Sequence, residues 1–443
     1  MVQKINPLKR RAGEKKQRSE RAEGAAYKIR IGLSERFRAL FLMLSLVGPG
    51  LITAFADNDA GGVSTYSVAG ATLGYNILWS LLPVTVLLII VQEMSARLGI
   101  VTGKGLADLI RERYGVKITL FLMIGLFLAN ISTTIGDFAG IAASGDLFNI
   151  PRWVIVPLTA IILLLIMIKG DYRTAEKAMF ILIFFYITYV LAGIMAKPNW
   201  SLALKSTFLP KIEFTPTYIY ILVGVIGTTI TPWMQFYLQS TYVEKGISVK
   251  DYRFAKAEVI LSSIVSDSVS FFMILTCAAT LYYAGISINS AQEAALALKP
   301  LAGEYAYILF GVGLFFASSI GAILVPVSTS FSICEGIGFE SGLNKTMKEA
   351  PVFYGLLIAT VVISAGLVLI PNLPLIKIMV FSQVFSGMVL PFIMIATLRI
   401  VNDEKLMGEY VNSKGFNIIA YAGAYLVILM TAYLVYMSVR TII

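Results

Sequence analysis

Two short stretches concentrate the residues that could do chemistry. GPGLITAFADNDAGG, residues 48–62, brings Asp57, Asn58 and Asp59 together with Gly48, Gly50, Gly61 and Gly62 in an otherwise apolar run. GTTITPWMQ, residues 227–235, sets Thr228, Thr231 and Pro232 inside another. An ionised Asp at the centre of a membrane helix costs about 2.5–3.5 kcal/mol on insertion scales, so the pair demands a reason. Residues two apart do not face each other on a regular helix. Glycines and an Asn permit local unwinding, which lets side chains and carbonyls converge. Pro232 has no N–H and clashes with the carbonyl four residues back, that of Thr228. The freed carbonyl needs water, protein or a cation, and Thr231 adds a hydroxyl beside it.

Carboxylate, amide, hydroxyl and carbonyl oxygens suit hard ions such as Mg²⁺, Ca²⁺ or Mn²⁺ rather than copper or zinc. The nearest thioether, Met234, lies beyond the proline. So few charged ligands fit Mg²⁺, which keeps several waters, better than a dehydrated Ca²⁺ cage. Two plainer readings stand beside this one. An Asp there can simply N-cap a half-helix, and a proline can simply kink a packing helix. Glu93, Asp137 and Asp267 also lie at membrane depth, either as pathway groups or buried against a partner such as Arg97. Gln383 sits in the apolar run FSQVFSG.

The elements that position these residues are membrane helices. Hydrophobic residues fill 57% of the 443 positions and charged residues only 14%, where a soluble domain needs about a quarter charged. Apolar runs of about 20 residues recur, each long enough to span a bilayer. We read eleven spans: 39–71, 75–98, 117–144, 152–169, 176–196, 216–242, 255–284, 304–333, 352–371, 374–398 and 416–439. With the N-terminus inside, 29 of the 36 Lys and Arg fall on the cytoplasmic side and 7 outside, in line with the positive-inside rule. Residues 1–38 hold 12 Lys/Arg against 4 Glu and no apolar core, which reads as a disordered basic cytoplasmic tail near anionic lipid rather than a signal peptide or a nucleic-acid arm. The interrupted spans are the first and the sixth. Five spans apart, they cross in opposite directions, the arrangement of a transport site between inverted halves.

The composition also excludes. Cys277 and Cys334 lie in or beside apolar runs and read as packing residues. Histidine is absent, so the commonest transition-metal ligand and proton relay is missing. No nucleophile–base set or phosphate loop points to an enzyme.

The stretch ARLGIVTGKGLADLIRERYG, residues 96–115, resembles the loop between the second and third spans of NRAMP metal transporters. GPGLITAFADNDAGG with AGATLGYNILW is similar to that family's first helix, GTTITPW to its sixth, and SQVFSGMVLPF to its tenth. The likeness runs from about residue 38 to 398. It implies a LeuT-like fold: a first five-helix repeat over 39–196, an inverted second over 197–398, and a loop with an additional helix 11 over 399–443. It implies alternating access around a metal held by Asp59, the Thr228 carbonyl and Gln383.

The departures shift the expected substrate. The family's asparagine is Gly62, its soft-metal methionine Thr231, the next histidine Trp233 and a later one Gln239. Asp137 keeps the family aspartate on helix 3, but the glutamate after it is Gly140. These changes resemble the NRAMP-related magnesium transporter branch, which carries Mg²⁺ and Mn²⁺ without proton coupling. Asp57 and Asn58 then add oxygen to the site or to its water shell, and Gly62 with Thr231 is expected to enlarge it. The implied partners are the ion and the lipid of a plasma membrane, with no cofactor, nucleic acid or obligatory protein. Rival readings are a proton-coupled Mn²⁺/Fe²⁺ importer, a Na⁺-coupled amino-acid carrier, whose carboxylate substrate the Asp pair would repel, and a cation channel, for which no filter loop is visible.

Overall fold

The ends of the helices follow from a few residues that cannot continue them. In this computed structural model, residues 53–54, 56–169, 185–343 and 345–442 are described, all within the unit Pro49–Ile443. Gly48, Gly50, the basic arm 1–38 and the first parts of spans 39–71 and 176–196 lie outside them. α1 (Ala60–Leu73) stops at Gly74, whose φ of 59° side-chain-bearing residues avoid, and a 3₁₀ turn leads into α2 (Leu81–Thr102). Gly103, left-handed at φ 65°, ends α2. α3 (Leu106–Leu147) then runs through a non-helical Gly115 at φ 73°. It begins at Leu106 rather than 117, so most of the expected loop is helix. The true connection is the turn Gly103–Gly105.

α4 (Arg152–Lys169) and α5 (Phe185–Met195) follow. A short α6 (Trp200–Phe208) precedes α7 (Pro216–Thr229), which Thr215 caps by accepting from the Tyr218 amide, with Pro216 in the first turn. α8 (Pro232–Glu244) starts at its own proline. α9 (Tyr252–Cys277) passes into a π turn, and α10 (Ala306–Ile337) runs to a left-handed Gly338, past the expected end at 333. α11 (Pro351–Val368), α12 (Leu375–Val401) and α13 (Lys414–Ile442) complete the chain.

Among the described residues there is no strand, and eight helical stretches are long and apolar enough to cross a membrane. Their burial sorts them. In their most apolar 18-residue windows, 94% of the α7–α8 residues are buried and only 22% of those in α13, which puts the former at the centre and the latter at the periphery. α13 turns Tyr425, Leu426 and Leu429 outward, and α4 turns out Trp153, Leu158 and Ile161. Such faces are stable against lipid, not water. α1 packs against α7, α9 and α12, and α3 against α10 and α12. The two interrupted segments therefore meet inside the bundle.

Candidate cation site at two helix breaks

The first break is held open by packing. Residues 57–59 are non-helical, and Asp59 caps α1: its Oδ1 accepts from the Gly62 amide at 2.8 Å and its carbonyl from Val63 at 2.9 Å. Gln383 Nε2 of α12 reaches the same Oδ1 at 3.5 Å. Gly61 makes this approach possible, since a Cβ there would overlap the Gln383 amide. Gly62 differs from expectation. It opens no room, because a Cβ there would overlap the Asp57 carbonyl oxygen and lie 3.2 Å from Thr228 Oγ1. The glycine is needed for the backbone to double back.

The second break faces it. α7 ends at Thr229, Ile230 leaves helical geometry at φ −124°, ψ 64°, and Thr231 is extended before Pro232 restarts the helix. Thr228 Oγ1 donates to the Asp57 carbonyl at 3.4 Å, tying the two breaks together. Thr231 Oγ1, Gln383 Oε1 and both carboxylate oxygens of Asp57 are buried with no hydrogen-bond partner. Buried polar groups are normally paired. Four unpaired oxygens on the two breaks and the helix beside them are acceptors suited to a cation.

The other predicted residues sort by geometry. Asn58 does not face this group: its amide donates to Ser266 Oγ of α9 at 3.0 Å and its Oδ1 accepts from Ser270 at 3.2 Å. Asp137 of α3 is fully buried, faces Asp59 and the Ala60 amide, and packs on Gly321, where a Cβ would overlap its carboxylate. Asp267 of α9 is also buried, close to Asp57 and beside the Thr85 hydroxyl. Gly140 is tightly covered by Ser318 and Ala60, leaving no space for a glutamate. Trp233 is buried edge-on to Tyr237, ring centroids 5.9 Å apart. Gln239 lies two turns beyond the break and donates to the Lys104 carbonyl at 2.9 Å. Glu93 takes its alternative role, since Arg97 binds its Oε2 at 3.0 Å and Tyr252 its Oε1.

Sequence reading missed Gln235, whose amide atoms are both buried and unpaired, and Glu335, whose Oε2 is likewise. The span ending at 333 left Glu335 outside. Gly338, the natural C-terminal stop, was the signal that would have included it.

The family model described as natural resistance-associated macrophage protein-like (Nramp) matches residues 50–437. The chain is similar to the solved Eremococcus coleocola manganese transporter, with TM-score 0.74 and 22% identity over 90% of this chain and 87% of that one. It is also similar to MHP1, a nucleobase-cation-symport-1 family transporter, with TM-score 0.55 and 12% identity over 89% and 93%. These likenesses give the fold expected from the sequence, an all-helical LeuT-like membrane architecture with interrupted helices at its centre.

Proposed function

This chain belongs to the Nramp family, and from that premise we propose that it carries divalent metal ions, Mg²⁺ foremost and Mn²⁺ as well, by alternating access. One observation carries the reading. The unpaired buried acceptors at the two breaks and on Gln383 are all oxygens, with no imidazole or thiolate among them. Hard oxygen donors favour Mg²⁺ and Mn²⁺ over softer metals. Met379, the thioether beside α1, is occupied by the Ser64 hydroxyl at 3.2 Å.

In this reading Asp59, Asp57, the Thr228 carbonyl, Thr231 and Gln383 hold the ion or its water. Asn58 acts through the backbone turn it pins to α9. A partly hydrated ion suits a donor set with so few carboxylates, which supports reading the chain as one of the NRAMP-related magnesium transporter branch. Residues 39–196 and 197–398 form the two inverted halves, with 399–443 appended. In this reading the protein sits in the plasma membrane, and the positive-inside rule supports a cytoplasmic location for the end bearing Lys104, Arg111, Arg113 and Lys245.

Transport without proton coupling follows from the missing histidines and from the close packing at Gly140. Asp137, buried without a counter-charge and facing Asp59, favours a second reading: proton-coupled Mn²⁺ uptake. Calorimetric titration of the purified protein with Mg²⁺, Mn²⁺ and Ca²⁺ tests the ion assignment. Wild type should bind Mg²⁺ and Mn²⁺, and Asp59→Ala should weaken both. Equal Mg²⁺ affinity in a folded Asp59→Ala protein would refute it.

A further inference from the structure

α8 carries a line of side chains with unused hydrogen-bonding capacity. Thr231, Gln235 and Gln239 recur every four residues, which places them on one helical face. Thr231 Oγ1, both amide atoms of Gln235 and Oε1 of Gln239 are buried without a partner. At 1.5 Å per residue the line descends about 12 Å from the helix break. Unpaired polar groups in sequence along one face are expensive as packing. They are what a closed hydrophilic route would leave.

The line ends at a second group of oxygens. Gln239, fully buried, donates through Nε2 to the Lys104 carbonyl at 2.9 Å, which holds its free Oε1 beside the 103–105 turn. The Glu335 carboxylate of α10 lies against the same turn, since a Cβ on Gly105 would overlap Oε2. Ser240 Oγ, next to Gln239, donates to Glu335 Oε1 at 3.0 Å, while Oε2 is shielded and unpaired. No described Lys or Arg reaches Glu335 within ion-pair distance. Lys104 pairs with Glu112 at 2.7 Å, and Arg111, which packs on Gly338, pairs with Asp108 at 2.8 Å. Asp108 and Glu244 are the other charged groups facing it. A carboxylate without a counterion, beside a free amide oxygen, is a cation site by its donor chemistry.

We propose that Glu335 and Gln239 form a second, inner site for a hydrated divalent cation, reached from the helix breaks along Thr231, Gln235 and Gln239. The site is the ion's last stop before the cytoplasm. The proposal rests on the transport reading above, but its residues lie on different helices from Asp59, so the two can fail separately. A merely structural Glu335 would anchor the turn and bind no ion.

Counting bound Mn²⁺ by electron paramagnetic resonance, on full-length protein in neutral-lipid nanodiscs, distinguishes these. Wild type should bind two ions, Asp59→Ala one, Glu335→Gln one, and the double variant none. Gln239→Leu, which spares the carboxylate, should weaken the inner ion roughly tenfold, as removing a supporting ligand does elsewhere. In proteoliposomes Glu335→Gln should lower maximal Mg²⁺ uptake while the half-saturating external Mg²⁺ stays unchanged. A wild type that binds one ion, lost in Asp59→Ala and untouched by both Glu335→Gln and Gln239→Leu, would overturn the inner site. Two ions kept in Asp59→Ala but one lost in Glu335→Gln would support it and overturn the central assignment instead.

Discussion

Two buried acidic regions of this molecule are built on opposite principles. At the end of α2, both carboxylate oxygens of Glu93 are bonded, to Arg97 and to Tyr252, and Arg97 also donates to the Tyr410 carbonyl at 2.7 Å and to Asn412. At the helix breaks, Asp57 has no hydrogen-bond partner on either oxygen, and Asp137 beside them on α3 faces no counter-charge. The first region closes its charges on themselves and locks α2 to the segment between α12 and α13. The second keeps acceptors open. A buried charge that serves structure finds its counter-charge, and one left open is held so by the surrounding packing, here by Gly61, Gly62 and Gly321.

The contrast is broken most decisively at Asp59. Asp59→Ala should reduce Mg²⁺ uptake into proteoliposomes to the level of protein-free vesicles, with unchanged monodispersity. Asp57→Ala should cost less: if Asp57 holds a water of the ion's shell, a hydrogen bond to a charged group contributes about 1.5–3 kcal/mol, roughly ten- to a hundredfold in uptake. The paired region should respond in the other currency. Removing one partner of a buried ion pair costs about 3–5 kcal/mol, so Glu93→Ala should lower the melting temperature sharply, read by thermal unfolding in detergent. An unchanged melting temperature would mean that the Glu93–Arg97 network does not hold the fold.

Much of this contrast was legible in the residues themselves. Glycines around paired aspartates, and a proline between threonines, marked both breaks because each feature makes a regular helix expensive. What the sequence could not show was direction. Asn58 stands between two aspartates yet turns to Ser266 and Ser270, a choice made by α9, some two hundred positions away. Gly62 read as missing bulk and turned out to be required closeness, because what fills its space is a backbone carbonyl. Glu335 escaped because the hydropathy of α10 fades before the helix does.

Gly62→Ala tests the close approach at Gly62 at smaller amplitude. Overpacking of this kind costs about 1–3 kcal/mol, and relief by displacing the Asp57 carbonyl should lower Mg²⁺ affinity in calorimetry together with stability. Full activity in Gly62→Ala would show that the turn tolerates movement. The smallest expected effect is at Thr231. Thr231→Met replaces a hard donor with a soft one, and one such contact, about 1.4 kcal/mol, shifts preference roughly tenfold towards Cd²⁺ or Mn²⁺ over Mg²⁺. An unchanged order in competition uptake would mean that position 231 does not meet the ion.

On the function proposed above, an all-oxygen site at the breaks carries a hard divalent ion without a proton. Its most direct test is uptake of Mg²⁺, Mn²⁺ and Ca²⁺ into proteoliposomes with the lumenal pH recorded in the same vesicles. Mg²⁺ and Mn²⁺ entry should follow the ion gradient and membrane potential, with lumenal pH constant. Lumenal acidification in step with Mg²⁺ entry, or Mn²⁺ entry with no Mg²⁺ entry, would contradict it.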